Sequence, residues 1–206
     1  IVNTNLVPAG AEPDSIFSLA DPRWKGRTGI AKPLFGTTAT HAASLFSVLG
    51  PDRTREFFQS LRGNGVSIQS GNKTVALSVS AGALAFGLTD TDDAIIEVES
   101  GKPVKIVYPD GKADQLGTLF IPNTVALVKD CPNPDAGRKL IEHLLSPMVE
   151  VALARAESAQ IPLNPVVTEK TRVKTPAETR AMEVDYGKAA DVFDKAARCV
   201  EEFFLK

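Results

Sequence analysis

Three short polar segments carry the side chains of this sequence that could do chemistry. The first contains Gly36, Thr37 and Thr38 and stands between a predicted strand and a predicted helix. The free backbone N–H groups and the positive dipole end of a helix start, together with two hydroxyl donors, favour binding of an anion or a carboxylate. One threonine could instead cap the helix, and both roles can hold together. His41 lies one turn further on, as a ligand contact or as a hydrogen-bonded structural residue.

The other two polar segments also follow predicted strands. Asn72 opens a short helix in the sequence SGNKT, where it provides a polar ligand contact or serves in capping. An acidic turn ahead of another helix consists of Asp90, Thr91, Asp92 and Asp93. Carboxylates bind hard metal ions and amines, so we expect at least one of these acids to contact a ligand, with Asp92 as the candidate metal ligand. In the alternative, Asp90 or Thr91 caps the helix and the two following acids favour its positive end.

The alternation of strand-like and helix-like segments predicts an α/β fold with a largely parallel sheet. The expected strands are 1–7, 28–31, 66–68, 84–88, 104–108, 120–121 and 125–128. The expected helices are 38–49, one capped by Asp52, 73–80, 92–100, two that start at Asn133 and Ser146, and 186–204. Ligands of open α/β sheets sit at the carboxyl ends of the strands. All three polar segments fall there, so we expect them to converge.

Composition narrows the classes of function. A net charge of −2 and a pI of about 5.8 argue against a nucleic-acid-binding surface. The longest nearly apolar stretch, 75–88, is shorter than the roughly 20 residues of a membrane span. The first residues form no signal peptide, so we expect the chain to begin inside a longer gene product or after processing. The sequence has two histidines and no Gly-x-Ser-x-Gly elbow, phosphate loop or dinucleotide fingerprint, which argues against an enzyme.

Several segments resemble a known family over nearly the whole chain. The most specific is 21–27 (DPRWKGR), and the others are 3–5, 29–33, 71–72, 87–89, 121–129, the helix from Pro134, and 161–163. On these residues the chain resembles the periplasmic, or extracellular, solute-binding proteins of bacterial ABC transporters that are related to the ferric-iron-binding proteins.

The resemblance implies a periplasmic-binding-protein-like fold of type II. Residues 1–112 would form one complete ligand-binding lobe that starts at the interlobe crossover, and 113–206 the C-terminal part of the other lobe, whose N-terminal segment is missing. The implied function is that of the receptor in an ABC import system. It would bind a small polar or anionic solute, or a metal ion with a synergistic anion, in the interlobe cleft.

The resemblance also implies partners and a location. The receptor would deliver its solute to an ABC permease in the membrane, would bind no nucleic acid and would be a monomer when full length. It would be periplasmic or extracellular, and membrane-associated in a Gram-positive host.

One departure from the family pattern concerns iron. Ferric members present adjacent tyrosines where this sequence has 91–93, and its two tyrosines, Tyr108 and Tyr186, are not adjacent. The resemblance therefore does not imply a phenolate ferric site. Two alternatives stay open: a fragment of an α/β hydrolase or transferase with Asp90 or Asp92 as base, and a sensor domain of the same fold. A catalytic site needs a carboxylate beside a nucleophile or a bound water, whereas a receptor needs several neutral donors.

Overall fold

The computed structural model describes residues 1–204, which contain one mixed five-stranded sheet in the order β3-β2-β4-β1-β5. The strands are β1 (Val2–Asn3), β2 (Thr28–Ala31), β3 (Ser67–Gln69), β4 (Phe86–Leu88) and β5 (Val104–Lys105). Strand β2 is parallel to β3 and β4, and β1 is antiparallel to both β4 and β5. Four strands therefore share one direction and β1 opposes them. The predicted α/β class is confirmed, with one antiparallel strand in a sheet that was expected to be largely parallel.

Helices follow the parallel strands closely. The described residues form α1 (Gly36–Leu49), α2 (Pro51–Gly63), α3 (Asn72–Ser80), α4 (Thr91–Glu99), α5 (Pro134–Leu144), α6 (Pro147–Arg155), α7 (Tyr186–Asp191) and α8 (Phe193–Phe204). Helices α1, α3 and α4 begin a few residues after β2, β3 and β4, respectively. A parallel pair needs such a crossover connection. The arrangement puts three helix starts at one edge of the sheet.

Four local expectations were wrong. The strand expected at 1–7 ends at Asn3, because the Asn3 side chain accepts the N–H groups of Asn5 and Leu6 and turns the chain. Asp52 lies in the first turn of α2, and Gly50, with a φ of 81°, is the N-cap residue. The strand pair expected at 120–128 is irregular and mostly exposed, because no described strand lies beside it. The single helix expected at 186–204 is broken at Val192.

Both faces of the sheet are covered, as parallel sheets require. The larger core cluster lies under α1 and α2, where Trp24 meets Phe86 edge-to-face with ring centroids 5.5 Å apart. The smaller cluster lies under α3 and α4 and includes the fully buried Val75 and Val79. A Cβ on Gly87 would meet Cγ1 of Val75 and lie 2.9 Å from the carbonyl oxygen of Gly29. Glycine at this point of β4 therefore lets α3 pack closely on the sheet.

The last two helices complete the larger core cluster. Helices α7 and α8 pack against α1, and α8 also packs against α2. Val200 of α8 is fully buried, and its neighbour Cys199 is buried too. Both Cys199 and Cys131 are free thiols. The expected lobe boundary at residue 112 stays a prediction. Residues 186–204, which lie beyond that boundary, pack against helices α1 and α2 of the first 112 residues.

Candidate functional site

Three helix starts meet at the carboxyl edge of the sheet. Strand β2 pairs with β3 on one side and with β4 on the other, so the chain segments that leave these strands emerge side by side. Thr37 and Thr38 lie in the first turn of α1, Asn72 is the first residue of α3, and Asp90 is the N-cap residue of α4. The predicted convergence of the polar segments is therefore present in the fold.

The side chains of Thr37, Asn72 and Asp90 form one hydrogen-bonded cluster. The Thr37 hydroxyl donates to the two Asp90 carboxylate oxygens, at 2.9 and 2.8 Å. The Asn72 amide donates to Asp90 Oδ2 at 2.5 Å and to Thr37 Oγ1 at 2.8 Å. The Thr38 hydroxyl donates to Asn72 Oδ1 at 3.2 Å. Both threonine hydroxyls thus point into the cluster, and neither caps α1, whose N-cap residue is Phe35.

The carboxylate of Asp90 is the centre of the cluster. Burial raises its pKa above the ordinary aspartate value, hydrogen bonds from Thr37 and Asn72 lower it, and the charge of Asp92 raises it further. Asp90 stands at the N-cap position of α4, as the capping alternative expected, but its side chain makes no capping bond there. Its carboxylate is committed to the other two helices, so its role goes beyond starting α4.

The rest of the acidic turn splits into two parts. Thr91 and Asp92 line a cavity, and Asp93 does not. The Asp92 carboxylate accepts the Asp93 N–H at 3.0 Å. Burial and the charges of Asp92 and Asp90 raise the pKa of Asp93, while Lys73 lowers it. Asp93 therefore lies near a basic neighbour and off the cavity wall, whereas Asp92 is part of that wall.

The cavity beside the cluster has a volume of about 660 Å³. Seven of the predicted site residues line it: Thr37, Thr38, His41, Asn72, Asp90, Thr91 and Asp92. Gly36 and Asp93 do not line it. Pockets of a few hundred cubic ångströms with a few converging polar groups are typical of small-molecule sites.

The far wall of the cavity comes from residues that motif reasoning missed. Tyr108, Thr118, Asn123 and Gln160 are polar residues among them, and the amide of Asn123 donates to Gln160 Oε1 at 2.8 Å. Segments 121–123 and 161–163 were expected to matter only through the family resemblance. Asn123 and Gln160, in or next to these segments, follow no recognisable spacing pattern, because they lie in irregular segments far apart in sequence.

One ring nitrogen of His41, Nε2, is buried and has no hydrogen-bond partner among the described residues. Burial lowers the pKa of the imidazole to about 4, so the ring is neutral at neutral pH. A hydrogen-bonded structural role, one of the two expected alternatives, is therefore not found for Nε2. Buried polar atoms without a partner are uncommon in native proteins, and His41 is one of the residues that line the cavity.

The oxygen atoms of the acidic turn are grouped closely enough for a cation. One carboxylate oxygen from each of Asp90, Asp92 and Asp93 lies within 4.8 Å of the others. The tyrosines, by contrast, are engaged elsewhere. The Tyr108 hydroxyl accepts the Lys174 N–H at 2.8 Å, and the Tyr186 hydroxyl donates to the Phe120 carbonyl. Burial raises the pKa of both phenols, which disfavours a phenolate ligand.

Comparison with known proteins bears on this arrangement. A family model described as bacterial extracellular solute-binding protein matches residues 1–188. The chain belongs to this family. The expected relationship is therefore confirmed, and it covers the sheet, the polar cluster and the cavity alike. No helix in the described part of the chain is long and apolar enough to span a membrane.

Individual relatives extend beyond this chain. It is 25% identical over 177 residues to iron uptake protein A2 of Synechocystis sp., covering 76% of this chain and 49% of that protein. It is 25% identical over 148 residues to a putative 2-aminoethylphosphonate-binding periplasmic protein of Salmonella typhi, covering 71% of this chain and 43% of that protein. The chain thus spans about half the length of these curated relatives or less.

A solved relative supports the fold. The crystal structure of iron-bound HitA from Pseudomonas aeruginosa superimposes with a TM-score of 0.81 at 19% identity, over 98% of this chain and 65% of that one. At this identity the likeness concerns the fold alone. It agrees with the predicted periplasmic-binding-protein-like architecture.

Proposed function

We propose that this chain belongs to the solute-binding receptor of an ABC import system, and that it holds a small polar solute or a metal–anion complex in the cavity beside α1, α3 and α4. The observation that carries the proposal is the meeting of Thr37, Asn72 and Asp90 at the wall of that cavity. Side chains from three separate helix starts are ordered there by mutual hydrogen bonds. Such preorganisation favours binding because little side-chain entropy is lost when the solute arrives.

The family and its relatives support a receptor over an enzyme. The family is one of solute-binding proteins, and the names of the two curated relatives refer to iron uptake and to 2-aminoethylphosphonate binding. A permease partner and a periplasmic or extracellular location, with membrane association in a Gram-positive host, belong to the same proposal. We further propose that the whole receptor is monomeric and binds no nucleic acid, in keeping with the net charge of −2.

One geometric feature bears on the catalytic alternative. The contact of Thr37 with Asp90 is a hydroxyl beside a carboxylate, the pairing that a hydrolase would need. The Thr37 oxygen, however, also accepts a hydrogen bond from Asn72, which draws electron density away from a would-be nucleophile. The comparisons give no support to the enzyme or sensor alternatives. The cluster is therefore better suited to holding a solute.

Calorimetric titration of the 206-residue chain tests the proposal. The probes are 2-aminoethylphosphonate and ferric citrate, which follow the names of the two curated relatives. We expect saturable binding of at least one probe. Asn72→Ala should lower the affinity at least about tenfold, because it removes the hydrogen bond from Asn72 to the Asp90 carboxylate. A hydrogen bond to a charged group is worth about 1.5 kcal/mol or more. Gln59→Ala, on the exposed side of α2, is the matched control. Turnover of a probe, or no saturable binding of any, would contradict the proposal.

A further inference from the structure

We propose that the solute carries a positively charged organic group, an ammonium, which contacts Asp90 and Asp92. This inference rests on the proposed function, because it concerns the same cavity. The first observation is the balance of charge on the cavity wall. Among residues 1–204 the charged side chains that line the cavity are Asp90, Asp92 and Glu150, and no lysine or arginine lines it.

Two basic side chains near the cavity do not offset this negative charge at neutral pH. Lys73 is exposed and acts on Asp93, outside the cavity wall. Burial lowers the pKa of His41 to about 4, so its imidazole is neutral. A bound anion would therefore meet carboxylates with no cationic side chain beside them on the described cavity wall.

Two neutral donor side chains of the site are already in use. The Thr37 hydroxyl and the Asn72 amide, which could have held an anion, donate to Asp90 instead. Two like charges a few ångströms apart repel each other more strongly near a protein surface than in bulk water. An anion entering beside Asp90 would pay this repulsion and would have to compete for the same donors. A cation would gain the corresponding attraction.

The surroundings favour an organic cation over a bare metal ion. Ca²⁺ takes six to eight oxygen ligands, whereas both oxygens of Asp90 already accept hydrogen bonds. Ile16, Leu19, Phe86 and Ile106 line the cavity as well and give a carbon skeleton an apolar surface. An ammonium donates three hydrogen bonds and can bridge two carboxylates without displacing their partners. His41, whose Nε2 atom has no partner among the described residues, lines the same cavity.

The test uses two small probes of similar size and opposite charge, the ethanolamine cation and the glycolate anion, together with Mg²⁺ alone. Each is titrated calorimetrically into the 206-residue chain and into Asp90→Asn, Asp92→Asn and Asp52→Asn. Asp52 is an exposed acid in the first turn of α2, so its variant removes a similar charge away from the cavity. Thermal melts check folding, and Asp92→Asn keeps the test valid if Asp90→Asn does not fold.

We expect ethanolamine to bind and glycolate not to bind. Each cavity variant should weaken ethanolamine binding by about 10- to 100-fold, the effect of losing one charge-assisted hydrogen bond, and Asp52→Asn should match the unaltered chain. Glycolate binding that tightens in Asp90→Asn would overturn the cationic assignment and leave the proposed function intact. Binding of Mg²⁺ without ethanolamine would overturn the ammonium assignment. If ethanolamine does not bind while a probe of the proposed function does, the ammonium assignment is wrong and the proposed function stands. If no probe of either set binds, both the ammonium assignment and the proposed function are contradicted.

Discussion

The hydroxyl of Thr37 donates to both carboxylate oxygens of Asp90, although the two residues are 53 positions apart in the sequence. The contact joins the start of α1 to the start of α4. It also supplies one of the two neutral partners of a carboxylate that is partly removed from water. The same bond therefore bears on both the stability of the fold and the shape of the site.

Replacing Thr37 with valine should destabilise the chain. The substitution keeps the shape of the side chain and removes the donor, so Asp90 loses one partner. The loss should cost about 1–3 kcal/mol in the free energy of unfolding, measured by urea denaturation. Thr40→Val is the matched control, because its hydroxyl donates only to Gly36 O within the same helix, at 3.3 Å. Equal costs for the two variants would show that the Asp90 contact contributes nothing.

The neutral state of His41 should make stability depend on pH. The pKa of His41 is about 4 in the folded chain against an ordinary value of 6.5, so between these values the unfolded chain binds a proton and the folded chain does not. This contribution to stability is full above pH 6.5 and is lost as the pH falls towards 4. We expect a loss of about 1–3 kcal/mol, absent in His41→Gln. His143→Gln, at an exposed position, should retain it, and a pH profile unchanged by His41→Gln would contradict the prediction.

Titration with ferric citrate should give no visible charge-transfer band. Such a band needs a phenolate bound to iron, and the hydroxyls of Tyr108 and Tyr186 are already hydrogen-bonded, with pKa values raised by burial. Absorption spectra of the 206-residue chain check this directly. A band that disappears in Tyr108→Phe and persists in Tyr186→Phe would mean that Tyr108 binds iron after all.

Gly87→Ala should weaken the fold through overpacking. The new Cβ would meet Val75 Cγ1 and lie 2.9 Å from the Gly29 carbonyl oxygen. Inserting a methyl group into such a packed site costs about 1–3 kcal/mol. Gly63→Ala is the control, because among the described residues a Cβ there meets nothing within 4 Å. It should be neutral or slightly stabilising, as replacing a helical glycine generally is. Thermal melts of both variants compare the two sites.

The sequence predicted the elements of the site better than their contacts. Strand and helix patterns are local, so the helix starts that carry Thr37, Asn72 and Asp90 could be placed from short stretches of sequence. The rule that ligands lie at the carboxyl ends of strands then predicted their convergence. It could not predict that the threonine hydroxyls bond to Asp90 and Asn72 instead of capping α1. Which partner a threonine hydroxyl takes depends on side chains from distant segments, and a local hydrogen bond to the backbone is the competing alternative.

The irregular segments explain most of the remaining differences. The continuous apolar run at 125–128 is typical of a buried strand, but a strand also needs an edge to pair with, and none of the described strands lies beside this segment. Similarly, the apolar period of 186–204 continues through Val192, so nothing in the pattern marks the break between α7 and α8. Pairing partners and helix breaks of this kind are set by tertiary structure, which a single sequence does not display.

The packing of α8 against α1 and α2 has a consequence for how the chain is made. Phe58 of α2 meets Phe204 of α8 with ring centroids 6.0 Å apart, and Arg55 pairs with Glu202. The apolar face of α1 and α2 is therefore covered by residues that are synthesised well after these helices, since Glu202 follows Arg55 by 147 positions. At about 5–20 residues per second, the segment between α2 and α7 takes on the order of ten seconds to synthesise. During that interval the nascent chain exposes an incomplete core, a surface that a chaperone or export factor could hold.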